Sequence, residues 1–276
     1  MHKDVIEANI RVHTAMAATY NGSEPHYRDE NKAQVRDQLT RLRARSGGRL
    51  LDIGCGTGFI IDMAKSMFDE IHGVDVTQAM LDRVDTSSGH ITLHNCSAEH
   101  LPFESNYFDM VSSYAFIHHV FRYEDVLREA YRVVRPGGFV YIDLEPNRDF
   151  WQAIVTLESE QHEQPRPLSS IVAKELESVL HTGDRVEREY GIEKNVFDKA
   201  EYTKTIMGGI DARDFERVVR DIGFSECETT YLWFLGQGAV MHTVSFEAAK
   251  TVDNYLRDAL PLTRHLYKYL RFVLRK

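Results

Sequence analysis

Cysteine is scarce in this 276-residue sequence, with three residues, and tryptophan scarcer still, with two. Cys55, Cys96 and Cys227 are odd in number, widely spaced and form no CxxC pair. That argues against a disulfide framework and a zinc site, and fits a reduced, cytoplasmic protein. No stretch approaches the ~20 consecutive apolar residues that a membrane-spanning helix needs. The opening MHKDVIEANIRVH mixes charges throughout and lacks the apolar centre of a signal peptide. Positive charge is in deficit, with 33 Lys and Arg against 42 Asp and Glu, a formal net charge of −9. A chain that acidic is a poor partner for phosphate backbones, which require neutralisation by Lys and Arg, so no nucleic-acid partner is expected. His26, His94, His162, His181 and His265 form no ligand-spaced cluster, and no metal is expected.

What is present is a core-forming chain. Hydrophobic residues make up 43% of it, enough for one sizeable core, so one domain with an insertion is expected. Residues 3–19 and 29–45 read as helices, closed by Asn21-Gly22 and Gly47-Gly48. Strands are expected at Arg49–Ile53, Ile71–Val76, Ile91–Cys96, Phe108–Ser113 and Phe139–Leu144. Helices fill the gaps, at Phe59–Phe68 and at Glu124–Val134, where Val126, Leu127, Ala130, Val133 and Val134 form one apolar stripe. Alternation of this kind implies an α/β fold, a Rossmann-like doubly wound sheet. The rhythm breaks over 147–212, a Glu-rich segment of helical character holding Pro165 and Pro167, which reads as a helical lid over the active edge. It resumes with a helix at Asp211–Ile222 and two strands near 228–235 and 239–246, giving seven strands in all. Residues 1–146 then hold the N-terminal helices and the cofactor half, 147–212 the lid, and 213–276 the end of the sheet with a C-terminal basic helix.

Leu51-Asp-Ile-Gly-Cys-Gly-Thr-Gly58 lies between the first strand and a helix. Glycines at alternate positions let the chain turn sharply and bring a ligand against the backbone, and the following helix offers free N–H groups to an anionic group. An acid, Asp75, ends the second strand, where a carboxylate can take both hydroxyls of a ribose. Loop, strand order and acid together point to a nucleoside-type cofactor. A dinucleotide fingerprint needs its third glycine where Phe59 stands, which disfavours a nicotinamide cofactor.

These residues resemble the class I S-adenosylmethionine-dependent methyltransferases of small-molecule type. Leu51–Gly58 resembles their first motif, Gly73–Leu81 the second, Cys96–Phe103 the segment along the adenine, Phe108–Val120 the fourth strand and its loop, and Arg132–Gly138 the signature before strand five. The resemblance covers about residues 15 to 146 and is loose beyond. It implies that Gly54, Gly56 and Gly58 pack on the methionine part of the cofactor and that Asp75 holds the ribose. Val76 and Met80 would sandwich the adenine, Ala98 and Glu99 would read its edge, Ser113 would offer its carbonyl, and Tyr20 would close over the carboxylate. Asp52, Cys55 and Tyr114 complete the implied cofactor set. Met80 reads equally as a core methionine.

His118 and His119 follow the fourth strand, where histidine is the usual base near neutral pH. They are the catalytic candidates, against a structural reading in which they pack under the cofactor. Over 257–276 basic residues outnumber acids, and Leu262, Leu266, Leu270, Val273 and Leu274 share one helical face. Such a helix packs on its own domain or a partner subunit, with peripheral membrane contact as the alternative. The expected activity is methyl transfer to a small-molecule acceptor, a hydroxyl of a metabolite or glycan intermediate, and a homodimer is compatible with the sequence. The rival readings are N- or C-methylation, a nicotinamide-dependent oxidoreductase and a non-catalytic cofactor-binding protein.

Overall fold

The structure, a computed structural model, describes residues 2–276. Three helices precede the sheet: α1 (His2–Met16), the single turn α2 (Tyr20–Ser23) and α3 (Asp29–Arg43). Buried Val5, Ala8, Val12 and Met16 recur every three to four residues and give α1 its inward face. The alternating half follows as β1 (Arg49–Ile53), α4 (Phe59–Ala64), β2 (Glu70–Asp75), α5 (Gln78–Leu81), β3 (Ile91–Asn95), β4 (Phe108–Tyr114), α6 (Tyr123–Val133) and β5 (Val134–Pro146). The 147–212 segment forms α7 (Arg148–Glu163), α8 (Ser170–Leu180), α9 (Thr182–Tyr190), α10 (Lys194–Ala200) and α11 (Tyr202–Thr205). The chain closes with α12 (Ala212–Ile222), β6 (Glu226–Phe234), α13 (Gln237–Thr243), α14 (Phe246–Asp258) and β7 (Tyr267–Arg275).

The seven strands run in the order β3-β2-β1-β4-β5-β7-β6. Pairs among β1 to β5 are parallel, and β7 lies antiparallel to both β5 and β6. Successive side chains point to opposite faces, so each strand feeds two cores. Leu51, Ile53, Val111 and Val140 meet α6 and α12 on one face, while Leu50, Met110, Phe139 and Tyr141 meet α3 and α4 on the other. The parallel strands all end on the same side, and there the loops gather.

Two expectations fail here. The strand expected near 239–246 is replaced by the helices α13 and α14, because Gly236 turns the chain at φ +80° and Ser245 caps α14, its hydroxyl accepting from Ala248 N at 3.0 Å. The expected C-terminal basic helix over 257–276 ends instead in β7. Tyr267, Leu270, Phe272 and Leu274 are buried in a strand paired on both edges, and Phe272 stacks on Phe215 of α12 with ring centroids 3.8 Å apart. Its cations have internal partners. Arg271 bonds buried Asp143 through Nε at 2.9 Å, and Lys276 Nζ donates to the carbonyls of Tyr131 and Val134 at 2.7 and 3.0 Å. No basic stripe remains on β7 for a membrane surface, and the peripheral contact drawn from a 257–276 helix is withdrawn. Among the described residues no helix is long and apolar enough to cross a membrane.

Candidate active site

The glycine loop leaves β1 and turns back over the end of β2. Gly54 and Gly56 hold φ of +67° and +52°, a region that favours glycine, and a Cβ on Gly54 would lie 2.0 Å from the Phe116 ring. The Gly54 and Cys55 N–H groups donate to Val74 O at 2.8 and 3.0 Å, tying the loop to β2. Asp75, at the end of that strand, accepts from Gly56 N through Oδ2 at 3.0 Å and from Thr77 N through Oδ1 at 2.8 Å. Each oxygen keeps a lone pair, the provision two ligand hydroxyls require. Burial raises the Asp75 carboxyl, against the Thr77 N–H, which lowers it.

Around this loop lies a cleft of about 850 Å³, counted with its open mouth. Tyr20, Asp52, Gly54, Cys55, Gly56 and Asp75 line it, as do Val76, Met80, Ala98, Glu99, Tyr114 and His119. Three expected residues do not. Gly58 is the N-cap of α4, and its open side faces Val84. Ser113 lies inside the sheet between Ile53 and Ile142, and Ala115 and Phe116 line the cleft in its place. His118 stands behind the lining. Burial pushes the Cys55 thiol up, far from a reactive thiolate, and raises the Asp52 carboxyl to about 7 although Ser112 Oγ donates to it at 2.7 Å.

The N-terminal segment closes the cleft. Val5, Asn9 and His13 of α1 line it, and a His2 ring nitrogen meets the Glu99 carboxylate. Asn9 Nδ2 donates to His119 O at 2.8 Å, and the His13 ring stands edge-on to His119 with centroids 4.9 Å apart. Tyr27 OH lies 2.5 Å from Thr57 Oγ1, whose hydroxyl donates to Asn21 Oδ1, so two residues before α3 bind the glycine loop. His26 also lines the cleft, and burial lowers its ring to about 3. Sequence reasoning missed Val5, Asn9 and His13 because their spacing in α1 reads as an ordinary buried face.

The histidine pair sits on the turn after β4. Glu145 of β5 is fully buried and accepts from Phe116 N at 2.9 Å, Ile117 N at 3.0 Å and His118 N at 3.1 Å. It also meets His118 Nδ1 at 2.8 Å. A carboxylate accepts only, so Nδ1 carries the proton and Nε2 is left as the acceptor nitrogen, 3.6 Å from Glu201 Oε2. His119 Nδ1 bonds Ala200 O at 2.7 Å, and burial together with His118 lowers its ring well below the usual histidine range. Glu201 also pairs with Lys204, Nζ to Oε2 at 2.8 Å; against burial, Lys204 and the two histidines hold its carboxyl below the ordinary carboxylate range. Glu201 was invisible in the sequence because only the lid fold carries it back to the pair. Elsewhere His94 meets His72 on the sheet edge, Nε2 to Nδ1 at 2.9 Å.

The strand order 3-2-1-4-5-7-6 and the glycine loop have counterparts in known proteins. Residues 51–142 match the family model described as a methyltransferase domain. Over that span, a third of its length, the chain is similar to a methyltransferase domain. It is 30% identical over 149 residues to a malonyl-[acyl-carrier protein] O-methyltransferase of Enterobacter lignolyticus, covering 51% of this chain and 59% of that one. It is 34% identical over 113 residues to a demethylmenaquinone methyltransferase of Anoxybacillus flavithermus, covering 38% and 48%. The chain thus spans about half the length of the curated relatives it matches first. In fold it resembles a SAM-dependent methyltransferase from Archaeoglobus fulgidus, with a TM-score of 0.51 at 16% identity over 89% of this chain and 94% of that one. The residues fit this family's cofactor: Asp75 has lone pairs for a ribose, Met80 and Val76 offer apolar faces, and the loop backbone is open at Gly56, where a Cβ would meet nothing closer than Met80 Cε at 3.5 Å.

Proposed function

We propose that this chain transfers a methyl group from S-adenosylmethionine to a hydroxyl of a small-molecule acceptor, a metabolite or glycan intermediate. The cofactor, when bound, supplies a methyl group on a sulfonium, already activated for in-line displacement. The protein's share is to align the acceptor, exclude water and take the acceptor's proton. Alignment alone supplies on the order of 7–11 kcal/mol in the best cases.

One observation carries the assignment of the base. Glu145 holds His118 Nδ1–H at 2.8 Å, which fixes the tautomer, orients the ring and stabilises the imidazolium that forms when Nε2 accepts a proton. His119 is the poorer base, held neutral by burial and bonded through Nδ1 to Ala200 O. It lines the cofactor cleft, which supports the packing role for that member of the pair. The burial of both histidines beneath α10 and α11, with Ala200 O on His119, supports a small acceptor over a polymer.

The test is a screen for transfer of labelled methyl to hydroxylated small molecules, repeated with H118N on the acceptor found. We expect kcat to fall roughly 10²- to 10⁴-fold, the usual share of a positioned general base, with S-adenosylhomocysteine affinity little changed. H119N should instead weaken cofactor binding. Near wild-type kcat in H118N overturns the base assignment, and an amine acceptor that needs only alignment becomes the better reading.

A further inference from the structure

Negative charge outnumbers positive charge behind the cleft. Glu145 and Glu201 both meet His118, Glu24 faces His118 and Glu201, and the cations facing Glu24 are Lys204 and Arg185. One ligand atom each of His118, His119 and Glu201 lies within 4.8 Å of the other two, the one such trio among the described residues. We propose that His118, His119 and Glu201 bind one divalent ion of the kind that imidazole favours, with Zn2+ as the representative.

The distances suit this. Donors sharing an ion at about 2.0–2.2 Å stand no more than about 4.4 Å apart. His118 Nε2 is 3.6 Å from Glu201 Oε2, and His119 Nδ1 is 3.8 Å from Glu201 Oε1. A second observation, outside the trio, points the same way. Metal-bound histidine almost always donates its other ring N–H to a carboxylate or carbonyl, and Glu145 takes His118 Nδ1–H in that manner, presenting the Nε2 lone pair toward Glu201. When His119 binds through Nδ1 its ring proton moves to Nε2, and the Ala200 carbonyl, 2.7 Å from Nδ1, faces the ion as a fourth donor. Lys204 is the competitor, since its ammonium holds the same Glu201 oxygen at 2.8 Å.

The ion site goes beyond methyl transfer and stands or falls without it. Where the two readings meet, an ion held by His118 Nε2 would occupy the nitrogen that otherwise accepts the acceptor's proton, and would supply Lewis-acid polarisation of the hydroxyl there.

Calorimetric titration of the intact chain with Zn2+ tests this, with circular dichroism to show that each variant is folded. We expect one ion per chain. K204M should bind more tightly. E145Q should weaken binding roughly 10- to 100-fold, the cost of losing the group that orients a ligand. E201Q should weaken it further, and H94N, which breaks the His72–His94 pair, should leave it unchanged. The proposal is overturned if neither wild type nor K204M takes up one equivalent, if folded E201Q binds as wild type does, or if H94N abolishes binding. Ion binding is read without cofactor or acceptor, and H118N turnover is compared with wild type in chelator-treated protein, so the two readings fail separately.

Discussion

Glu145 and His118 are joined twice. Oε2 of the one meets both Nδ1, at 2.8 Å, and the backbone N–H, at 3.1 Å, of the other, while Oε1 holds the N–H groups of Phe116 and Ile117. One buried carboxylate thus builds the turn after β4 and aims the ring it carries. Glutamine in its place keeps a single acceptor oxygen and turns an NH2 toward donors. Charge-assisted bonds contribute about 1.5–3 kcal/mol each, so we expect E145Q to destabilise the fold by about 3 kcal/mol or more in urea titration. H118N, which leaves the backbone bonds intact, should cost less. Equal losses in the two variants would show that the ring, not the turn, is what Glu145 supports.

Asp75 faces the cleft with both oxygens already bonded to backbone N–H groups and a lone pair left on each. D75N keeps the shape and loses the charge. S-adenosylhomocysteine affinity should drop roughly ten- to a hundredfold, as expected for a lost pair of charge-assisted bonds. Unchanged affinity in calorimetry would remove Asp75 from the binding site.

Much of this was legible in the sequence. β1 falls on Arg49–Ile53 as expected, because an apolar run that ends in alternate glycines has few other solutions. The remaining parallel strands lie within a few residues of expectation, except that β5 extends back to Val134, where the end of α6 passes straight into the strand. β7 was misread for a physical reason. Leu266, Leu270, Val273 and Leu274 fit a helical stripe, yet Leu270, Phe272 and Leu274 equally fit a period of two, and two flanking strands decide between them. The cap was illegible for another. Asn9, His13 and Glu201 carry no motif, and only tertiary packing brings them to the site.

Asp52 introduces a pH dependence. Burial raises its folded-state carboxyl from 3.8 to about 7. Below about pH 4 it is protonated folded and unfolded alike. As pH rises toward 7 the unfolded chain loses that proton and the folded chain keeps it, so stability falls through this window and levels off above it. D52N removes the effect. Its melting temperature should exceed that of wild type at pH 8, from a ceiling of about 4 kcal/mol, and the advantage should vanish near pH 4. An advantage independent of pH would point to another cause.

Arg271 reaches from β7 to buried Asp143 of β5, whose carboxylate also takes Leu144 N and Tyr141 OH. R271M leaves that charge without its cation, and removing one partner of such a pair costs about 3–5 kcal/mol. The double variant R271M/D143N should recover part of the loss. Thermal unfolding of all three chains checks this, and additive losses in the double variant would show that the pair is not coupled.

The N-terminal helix belongs to two structures at once. One face of α1, through Val5, Asn9 and His13, is a wall of the cofactor cleft, and another, through Ala8, Val12 and Met16, is locked to Val186, Ile192, Phe197 and Ala200 of the lid. A wall built in this way cannot move alone: any displacement of α1 that opens the cleft must also break its contacts with Val186, Ile192, Phe197 and Ala200, so the cleft and the helices of 182–200 open together or not at all.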